Sequence, residues 1–502
     1  MNLFSQIRSA IKSPGKTFLE TGAGVPITYA GMLSRSAQIA NVLVARGVKP
    51  SDRVAVQVEK TPENLLLYLA TLRVGAVYLP LNTAYTLAEL DYFIGDAEPT
   101  LIVCDPGKHA GLAEIAGKRS VRAVEMLDAS GKGSLTNAAA TASTQFSDVA
   151  RADGHLAAIL YTSGTTGRSK GAMLTHENLA SNASTLVDYW RFTENDVLLH
   201  ALPVYHTHGL FVASNTMMLS GGSMIFLPKF DADEVMRLLP KATAMMGVPT
   251  FYTRLLKHPG LTKAACAHMR LFTSGSAPLL AETHVEFQDK TGHAILERYG
   301  MTETNMNTSN PYDGDRIAGT VGFPLPGVEL RIADPETGKI LLQGETGGIE
   351  VKGPNVFPGY WRMPEKTKAE FRTDGFFITG DVGKIDARGY VHIVGRAKDL
   401  IITGGFNVYP KEIESEIDAL PGVAESAVIG CPHPDFGEGV TAVIVCKPGA
   451  ELSEKGVIGV LEQRLAKFKL PKRVIFMDDL PRNTMGKVQK NILRDRHAKL
   501  YG

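Results

Sequence analysis

The chain has 502 residues, more than one hydrophobic core usually supports, so we expect two or three compact units. Its apolar content of 44% and charged content of 21% are ordinary for a globular enzyme. A net charge of +1 at pH 7 leaves no charge excess of the kind that binds nucleic acid or acidic surfaces.

Neither the cysteines nor the apolar stretches point outside the cytoplasm. The four cysteines are scattered, with no Cys-x-x-Cys pair, which predicts buried free thiols in a reducing compartment rather than a structural metal site. Residues 65–81 are the most apolar, but Arg73 and Gly75 interrupt them, so no membrane span is predicted. Residues 1–15 lack the apolar core of a signal peptide, and we expect a cytoplasmic protein.

The first 150 residues alternate between helical and strand-like patterns. Helices are predicted at residues 29–46 and 62–74, and strands at residues 54–58 and 101–104. This alternation favours a largely parallel sheet with helices on both faces. Residues 128–143, rich in Gly, Ala, Ser and Thr, are predicted to form a surface excursion.

Residues 161–171 read Tyr-Thr-Ser-Gly-Thr-Thr-Gly-Arg-Ser-Lys-Gly and follow a predicted buried strand at residues 156–160. Glycines let backbone N–H groups approach an anion, while the hydroxyls and Lys170 add donors and charge. The loop is a candidate phosphate cradle, with a tight turn as the alternative. It contains no Gly-Lys-Ser/Thr, so we do not expect a P-loop NTPase.

This string resembles the phosphate loop of the adenylate-forming superfamily, which includes acyl-CoA synthetases, beetle luciferases and peptide-synthetase adenylation domains. Further signatures follow in the family's order: Tyr-Gly-Met-Thr-Glu at 299–303, Thr-Gly-Asp at 379–381, Gly-Arg at 395–396 and Pro-Arg-x-x-x-Gly-Lys at 481–487. The resemblance covers nearly the whole chain.

The resemblance implies an α/β fold in two parts. A large N-terminal adenylate-forming domain, with stacked βα sheets and a β-rich subdomain, would span residues 1–397. A small, mobile α+β C-terminal domain carrying the catalytic lysine would span residues 398–502, with the hinge at Lys398.

The same resemblance implies roles for individual residues, with ATP and CoA as co-substrates and Mg²⁺ as cofactor. Catalysis would depend on Lys487, Thr166 and Glu303, the last also holding Mg²⁺. CoA would pass the hinge segment with Lys398, Gly404 and Gly405. The implied ATP-binding residues are Thr162, Ser163, Thr165, Thr166, Lys170, Ser276, Tyr299, Thr302, Asp381 and Arg396.

Three positions bear on the acid substrate. His206 matches a histidine that borders the acyl group in the family, although histidines at strand ends are often ordinary loop residues. Most relatives that activate apolar acids carry glycine where this chain has Arg298. A buried guanidinium needs a partner, which is either a protein carboxylate or a second carboxylate on the substrate.

Arg254 is expected to reach the same cavity, the alternative being a surface salt bridge. Two guanidinium groups in one small pocket suit a short dicarboxylate. Together with Asn82-Thr-Ala-Tyr-Thr, this pair resembles the malonyl-CoA synthetase subgroup. The expected reaction joins malonate, and potentially methylmalonate, to CoA through an acyl adenylate, releasing AMP and pyrophosphate.

Two alternatives stay open. The first is a CoA ligase for another small or aromatic acid, with both arginines paired to protein carboxylates. The second is a non-catalytic nucleotide sensor of the same fold, which the joint presence of Lys487, Glu303 and Asp381 disfavours. The expected partners are small molecules, with neither nucleic acid nor membrane. A lysine acetyltransferase and deacetylase acting on Lys487 are a further hypothesis.

Overall fold

A computed structural model describes residues 2–162, 169–403, 406–465, 467–483 and 486–502, except for the side chain of Asn407. The predicted α/β fold, with a large N-terminal and a small C-terminal domain, is confirmed. All four cysteines are free thiols. Within the described ranges, no helix is both long and apolar enough to cross a membrane.

Helices occur along the whole chain. They are α1 Leu3–Ala10, α2 Tyr29–Ala45, α3 Pro62–Val74, α4 Leu87–Ala97, α5 His109–Lys118, α6 Ser134–Ala140, α7 His176–Tyr189, α8 Thr216–Ser220, α9 Ala232–Leu238, α10 Pro249–Leu256, α11 Lys263–Cys266, α12 Ala281–Thr291, α13 Pro364–Ala369, α14 Pro410–Asp418, α15 Glu454–Leu461 and α16 Lys490–Arg496. A π-helical segment, His208–Asn215, leads into α8. Short 3₁₀ segments are Pro106–Lys108, Leu239–Lys241, Ala397–Asp399 and Lys467–Lys469.

In the described ranges the strands belong to four sheets. They are β1 Thr17–Thr21, β2 Pro26–Thr28, β3 Arg53–Gln57, β4 Val77–Pro80, β5 Leu101–Cys104, β6 Ala123–Met126, β7 Leu156–Thr162, β8 Lys170–Thr175, β9 Val197–His200, β10 Ser223–Phe226, β11 Ala244–Gly247, β12 Leu271–Ser274, β13 Leu296–Met301, β14 Asn305–Ser309, β15 Phe323–Pro324, β16 Glu329–Ala333, β17 Gly347–Lys352, β18 Gly359–Tyr360, β19 Phe377–Ile385, β20 Val391–Arg396, β21 Ile401–Thr403, β22 Phe406–Val408, β23 Val423–His433, β24 Gly437–Cys446 and β25 Arg473–Met477.

Two large sheets build most of the N-terminal domain. The seven-stranded sheet has the order β18-β8-β7-β4-β3-β5-β6, and the nine-stranded sheet has the order β15-β14-β13-β12-β11-β9-β10-β1-β2. One core contains residues of both sheets and of α3. Residues 64–74 of α3 are all buried, as expected for a helix enclosed between layers.

The chain then forms an antiparallel sheet and a mixed sheet, in which only β25 pairs in parallel, with β24, among the described strands. Strands β16, β17, β19 and β20 make the predicted β-rich subdomain, and β22, β21, β24, β23 and β25 make the sheet of the C-terminal domain. The 3₁₀ segment Ala397–Asp399 joins β20 to β21. Lys398 therefore lies between the two units, although its role as a hinge stays a prediction.

One local prediction was wrong. Residues 128–143 are not merely a surface excursion, because they contain α6, which packs on α2 and buries Leu135 and Ala139. Their small side chains permit a close approach of helices that composition alone does not reveal.

Arg73 in α3 is a buried cation that stabilises the N-terminal core. Its side chain is 2% exposed, and its Nε lies 2.6 Å from Asp148 Oδ1. It also donates to Leu33 O and Ser36 Oγ. Removing one partner of a buried ion pair leaves the other charge poorly compensated.

We therefore expect Arg73→Met to lower the free energy of unfolding of the N-terminal domain by about 3 kcal/mol in urea titrations. Arg362→Met is the matched control, because the Arg362–Glu98 pair is about half exposed on both sides and should contribute little. Equal midpoints for the two variants would contradict this role of Arg73.

Candidate active site

The predicted acid-binding residues lie where neighbouring parallel strands end. Strands β10, β9, β11, β12 and β13 are parallel neighbours in the nine-stranded sheet. Strands β9, β11 and β12 lead into the loop with His206, into α10 and into Gly275, and the guanidinium of Arg298, within β13, lies against Gly275. Open α/β sheets bind ligands at this edge.

Arg298 is a buried cation at the centre of this edge. Its residue is 4% exposed, and its guanidinium packs directly on Gly275, where a Cβ would overlap Nη1. Nε and Nη2 have no hydrogen-bond partner among the described residues, nor does any carboxylate there form a salt bridge with Arg298. Burial lowers the pKa of Arg298 to about 9, so the side chain is still a cation at neutral pH.

Two neutral histidines accompany Arg298. Burial, and then the charge of Arg298, lowers the pKa of His206 to about 4 and that of His208 well below its usual value. The backbone N–H of His208 donates to His206 Nδ1 at 3.2 Å, so His206 carries its proton on Nε2. His208 Nδ1 lies 3.2 Å from Ser276 Oγ, which connects the acid pocket to a predicted ATP-binding residue.

Sequence reasoning missed several polar groups at this edge. His208 is not among the predicted site residues, yet it is 1% exposed, and no signal in the sequence distinguishes it from other histidines. The buried atoms without a hydrogen-bond partner in the described residues include His208 Nε2, Thr207 Oγ1, Thr273 Oγ1 and Ser274 Oγ. Unpaired buried polar atoms are costly, so this edge is suited to a polar ligand.

Arg254 does not join the buried cluster. It is exposed on α10, whereas Tyr252, Leu255 and Leu256 occupy the buried face of that helix. The predicted pair of buried arginines is therefore not present in this structure, because tyrosine and leucine fill the positions that face the core. A contact between Arg254 and an acid stays a prediction.

A second cluster surrounds Asp381. Tyr299 Oη donates to Asp381 Oδ2 at 2.5 Å, and Arg396 Nε lies 2.6 Å from Asp381 Oδ1. The pairing of β19 with β20 places Asp381 opposite Arg396. Strand β13 is irregular after Tyr299, and a Cβ at Gly300 would overlap Asn305 O, so only glycine fits this bend. The three predicted nucleotide-binding side chains are thus brought together.

A third cluster contains two carboxylates. Glu303 is 6% exposed, and burial raises its pKa. Tyr360 Oη lies 3.0 Å from Glu303 Oε1 and 2.7 Å from Glu370 Oε2. Lys170 Nζ lies 3.1 Å from Glu370 Oε1 and 4.1 Å from the centre of the Tyr360 ring. Glu370 was not predicted, because it follows α13 outside every family signature quoted from the sequence.

These carboxylates fit a hard divalent cation. Mg²⁺ prefers oxygen ligands and usually binds one or two carboxylates plus phosphate oxygens. Glu303 and Glu370 supply such oxygens on either side of the Tyr360 hydroxyl. In the described residues no group of three or more His, Cys, Asp or Glu could hold a metal alone, so phosphate would have to complete this site.

Lys487 reaches the cleft from the C-terminal domain. Its side chain is accessible to solvent, yet the protein encloses the ammonium and lowers its pKa to about 8 through burial and then the charge of Arg396. A Cβ at the preceding Gly486 would lie 3.1 Å from Thr250 on α10. The loop is held internally, since Arg482 donates to Gly486 O at 2.7 Å.

For three further predicted site residues the structure gives only their position or exposure. Thr162 pairs with Lys170 across β7 and β8, Thr302 is half-buried after β13, and Lys398 is exposed. Ser163, Thr165, Thr166, Gly404 and Gly405 lie outside the described residues.

Two family models match the chain. The AMP-binding enzyme model matches residues 7–361, and the AMP-binding enzyme C-terminal domain model matches residues 412–487. Together they cover most of both domains.

A solved relative matches throughout. The crystal structure of ATP-bound MatB from Rhodopseudomonas palustris is 67% identical and has a TM-score of 0.98, covering 100% of this chain and 99% of that one. The apo structure of the same protein has a TM-score of 0.88. The present structure is therefore nearer to the ATP-bound form.

Curated relatives differ in their named acid. A malonate–CoA ligase from Arabidopsis thaliana is 37% identical over 88% of this chain and 77% of its own length. A feruloyl-CoA synthase from Amycolatopsis is 36% identical over 98% of both. Because their identities are nearly equal, these two relatives do not decide which acid this chain takes.

The lowered pKa of Lys487 predicts unusual reactivity. With a pKa of about 8, about a tenth of the side chain is a neutral amine at pH 7, far more than for an ordinary lysine. We expect an N-hydroxysuccinimide acetate reagent to label Lys487 in the ligand-free protein with a pH midpoint near 8, as followed by mass spectrometry.

The matched control is Lys118, whose exposed ammonium pairs with Glu114, which raises its pKa. Its labelling should stay slow until well above pH 10. Equal labelling rates for the two lysines at pH 7 would show that the cleft does not perturb Lys487.

Proposed function

This protein belongs to the AMP-binding enzyme family and is an AMP-forming acid–thiol ligase, and we propose that its acid substrate is malonate. The reaction converts malonate, ATP and CoA into malonyl-CoA, AMP and pyrophosphate. One observation carries the choice of acid: Arg298 is buried, charged and without a carboxylate partner among the described residues.

The unpaired guanidinium favours a dicarboxylate. A buried cation is destabilising until an anion pairs with it, and a guanidinium can bind a carboxylate through two hydrogen bonds. The second carboxylate of malonate would supply that anion, while the first reacts. His206 is neutral at pH 7, so it can offer its Nε2 proton without adding charge. An acid with an apolar tail would leave Arg298 unpaired.

Adenylation follows from the arrangement of charges. A carboxylate is a poor acyl donor, and attack of its oxygen on the α-phosphorus of ATP makes an acyl adenylate and releases pyrophosphate. The negative charge that gathers at the phosphorus requires preorganised donors. Lys487 would bridge the α-phosphate and the attacking carboxylate, while Asp381, Tyr299 and Arg396 would hold the nucleoside.

Mg²⁺ belongs to this proposal as the metal cofactor. Glu303 would hold it, with Glu370 as the nearby second carboxylate. When bound, the ion neutralises phosphate charge. Lys170, which neighbours Glu370, would contact the polyphosphate together with the glycine-rich loop.

Thioester formation requires Lys487 to leave the cleft. The proposed hinge at Lys398 would let the C-terminal domain rotate, so that the CoA thiol can attack the adenylate carbonyl and expel AMP. In this structure Lys447 of that domain pairs with Glu282 of α12 at 2.6 Å. Both side chains are about half exposed, and such pairs contribute little, so this contact would not prevent rotation.

Three further proposals concern the range of acid substrates, the cellular location and the acetylation of Lys487. Methylmalonate differs from malonate by one methyl group, which is worth about 1–3 kcal/mol in either direction. Free thiols in all four cysteines fit a cytoplasmic location. The pKa of about 8 and the solvent access of Lys487 favour acetylation there, and a deacetylase would restore its charge.

The test of function is AMP formation with ATP, Mg²⁺ and CoA for malonate, methylmalonate, succinate, acetate and 4-coumarate. We expect malonate to be preferred over acetate by at least about a hundredfold in kcat/KM, since acetate leaves a buried cation unpaired. Faster turnover of acetate or 4-coumarate would reject malonate while leaving the ligase class intact.

Arg298→Ala should reduce kcat/KM for malonate by roughly a thousandfold, because it removes a charged hydrogen-bond partner in a buried site. The KM for ATP should change little. Arg254→Ala is measured in parallel, and its exposed position predicts a much smaller loss. A larger loss in Arg254→Ala than in Arg298→Ala would reverse the assignment.

Glu303→Gln should raise the Mg²⁺ concentration needed for half-maximal rate, because the neutral amide is a weaker ligand. Glu370→Gln is the matched comparison, since both carboxylates neighbour the same Tyr360 hydroxyl. If only Glu370→Gln raises the Mg²⁺ concentration needed for half-maximal rate, the metal site would be assigned to Glu370 instead.

A further inference from the structure

Lys60 is a buried lysine with no carboxylate partner in the described part of the chain. It is 7% exposed and follows β3, just before α3. Its Nζ donates to His200 O at 2.7 Å and lies 2.9 Å from His200 Nδ1. The same nitrogen also lies 4.2 Å from the centre of the Phe226 ring.

Such a group is expensive to bury. An ammonium loses its hydration on burial, and a carboxylate usually offsets that loss, as Asp148 does for Arg73. Lys60 has only a carbonyl, an imidazole and an aromatic face, and burial lowers its pKa well below the usual value. Costly groups of this kind are concentrated at functional sites.

Lys60 joins the two large sheets at their functional edges. It follows the carboxyl end of β3 in the seven-stranded sheet, and His200 is the last residue of β9 in the nine-stranded sheet. The carbonyl of His200 also accepts from Leu227 N at 3.0 Å, just after β10. Ligands bind at the carboxyl ends of strands in such sheets, so this side chain lies under the candidate site.

The hydrogen bonds of His200 have a fixed direction. Its Nε2 lies 2.9 Å from Gly209 O, and a carbonyl oxygen can only accept. Burial lowers the pKa of His200 well below its usual value, so the ring is neutral and carries its one proton on Nε2. Nδ1 must then accept, which makes Lys60 the donor. The chain of hydrogen bonds therefore runs from Lys60 through His200 to Gly209.

These hydrogen bonds connect the two ends of residues 201–208, a segment that we call the histidine loop. His200 precedes the loop and Gly209 follows it, so one imidazole ties both ends. Gly209 packs on Pro203 O so closely that a Cβ would overlap it. Within the loop, His206 O accepts from Leu210 N at 3.0 Å, and His206 Nδ1 accepts from His208 N at 3.2 Å.

We propose that Lys60 is a positioning residue for the acid site: acting through His200, it holds the histidine loop so that His206 and His208 lie against the acid. The kinetic test of this inference rests on the proposed function, because it measures turnover of malonate. The structural test, which measures hydrogen–deuterium exchange, does not depend on it. Lys60 touches neither the acid nor ATP in this proposal.

Lys60→Met keeps the length and apolar stem of the side chain but removes its donors. We expect kcat/KM for malonate to fall by roughly ten- to a hundredfold, as small displacements of a positioned group do, while the KM for ATP changes by less than about twofold. Arg73→Met is the matched control, because it removes a buried cation from the same domain and should lower stability without changing kcat/KM for malonate.

Hydrogen–deuterium exchange of the ligand-free protein provides a readout that needs no activity. Lys60→Met should speed exchange of the amides in residues 201–210 more than elsewhere, and Arg73→Met should not. Unchanged exchange there in Lys60→Met overturns the proposal. If wild type fails to use malonate but Lys60→Met loosens the loop, the substrate is wrong and the positioning role stands.

Two variants of His200 decide the matter if Lys60→Met does not fold. The side chain of His200→Gln retains a donor for Gly209 O and an acceptor for Lys60, whereas the side chain of His200→Leu retains neither, and both variants keep the backbone carbonyl that accepts from Lys60. Relative to wild type, the decrease in the logarithm of kcat/KM for malonate should be at most about half as large in His200→Gln as in His200→Leu. Equal losses in both variants, with unchanged exchange of the loop, overturn the proposal.

Discussion

The guanidinium of Arg298 lies against Gly275 in the protein interior and is not neutralised by any described carboxylate. This one unpaired charge constrains its surroundings. The residue at 275 must be glycine to admit the guanidinium, and the adjacent His206 stays neutral because burial and a second positive charge would be unfavourable together. In the proposed function, an anion of limited size would pair with this guanidinium.

The site as a whole combines positive and negative groups, with Arg396 beside Asp381 and Lys170 beside Glu370. Arg298, Lys487 and the buried histidines surround the place where a carboxylate would react, while Asp381 and Glu303 lie where nucleoside and metal would bind. In a low-dielectric cleft such fixed charges act more strongly than in water and need no reorganisation during the reaction. Because Lys487 belongs to the other domain, the proposed rotation would withdraw its charge once the adenylate has formed.

Much of the fold and part of the site could be predicted from the sequence. Periodicity located α2, α3 and β5, because their burial patterns depend on local spacing. Arg298 stood out because a charged residue replaced the glycine usual in relatives. Arg254 looked equivalent in the sequence, but it is exposed, since only the three-dimensional course of α10 decides which face is buried.

Other groups were beyond sequence reasoning for a physical reason. Lys60 and His200 are 140 residues apart, and neither belongs to one of the family signatures in the sequence. Their side chains nevertheless meet between two sheets. Glu370 similarly joins Lys170 only through the folded subdomain. Contacts between residues so far apart in the sequence depend on the topology of the fold. A pattern within one segment indicates only which face of that helix or strand is buried.

The central claim is that the charge of Arg298 selects the acid, and a specificity inversion tests it most directly. Propanoate is malonate with its second carboxylate replaced by a methyl group. The ratio of kcat/KM for malonate to that for propanoate would be measured in wild type and in Arg298→Met. We expect a ratio well above one in wild type and below one in the variant, with propanoate turnover increased in absolute terms. A ratio that is unchanged by the substitution would show that Arg298 does not recognise the acid.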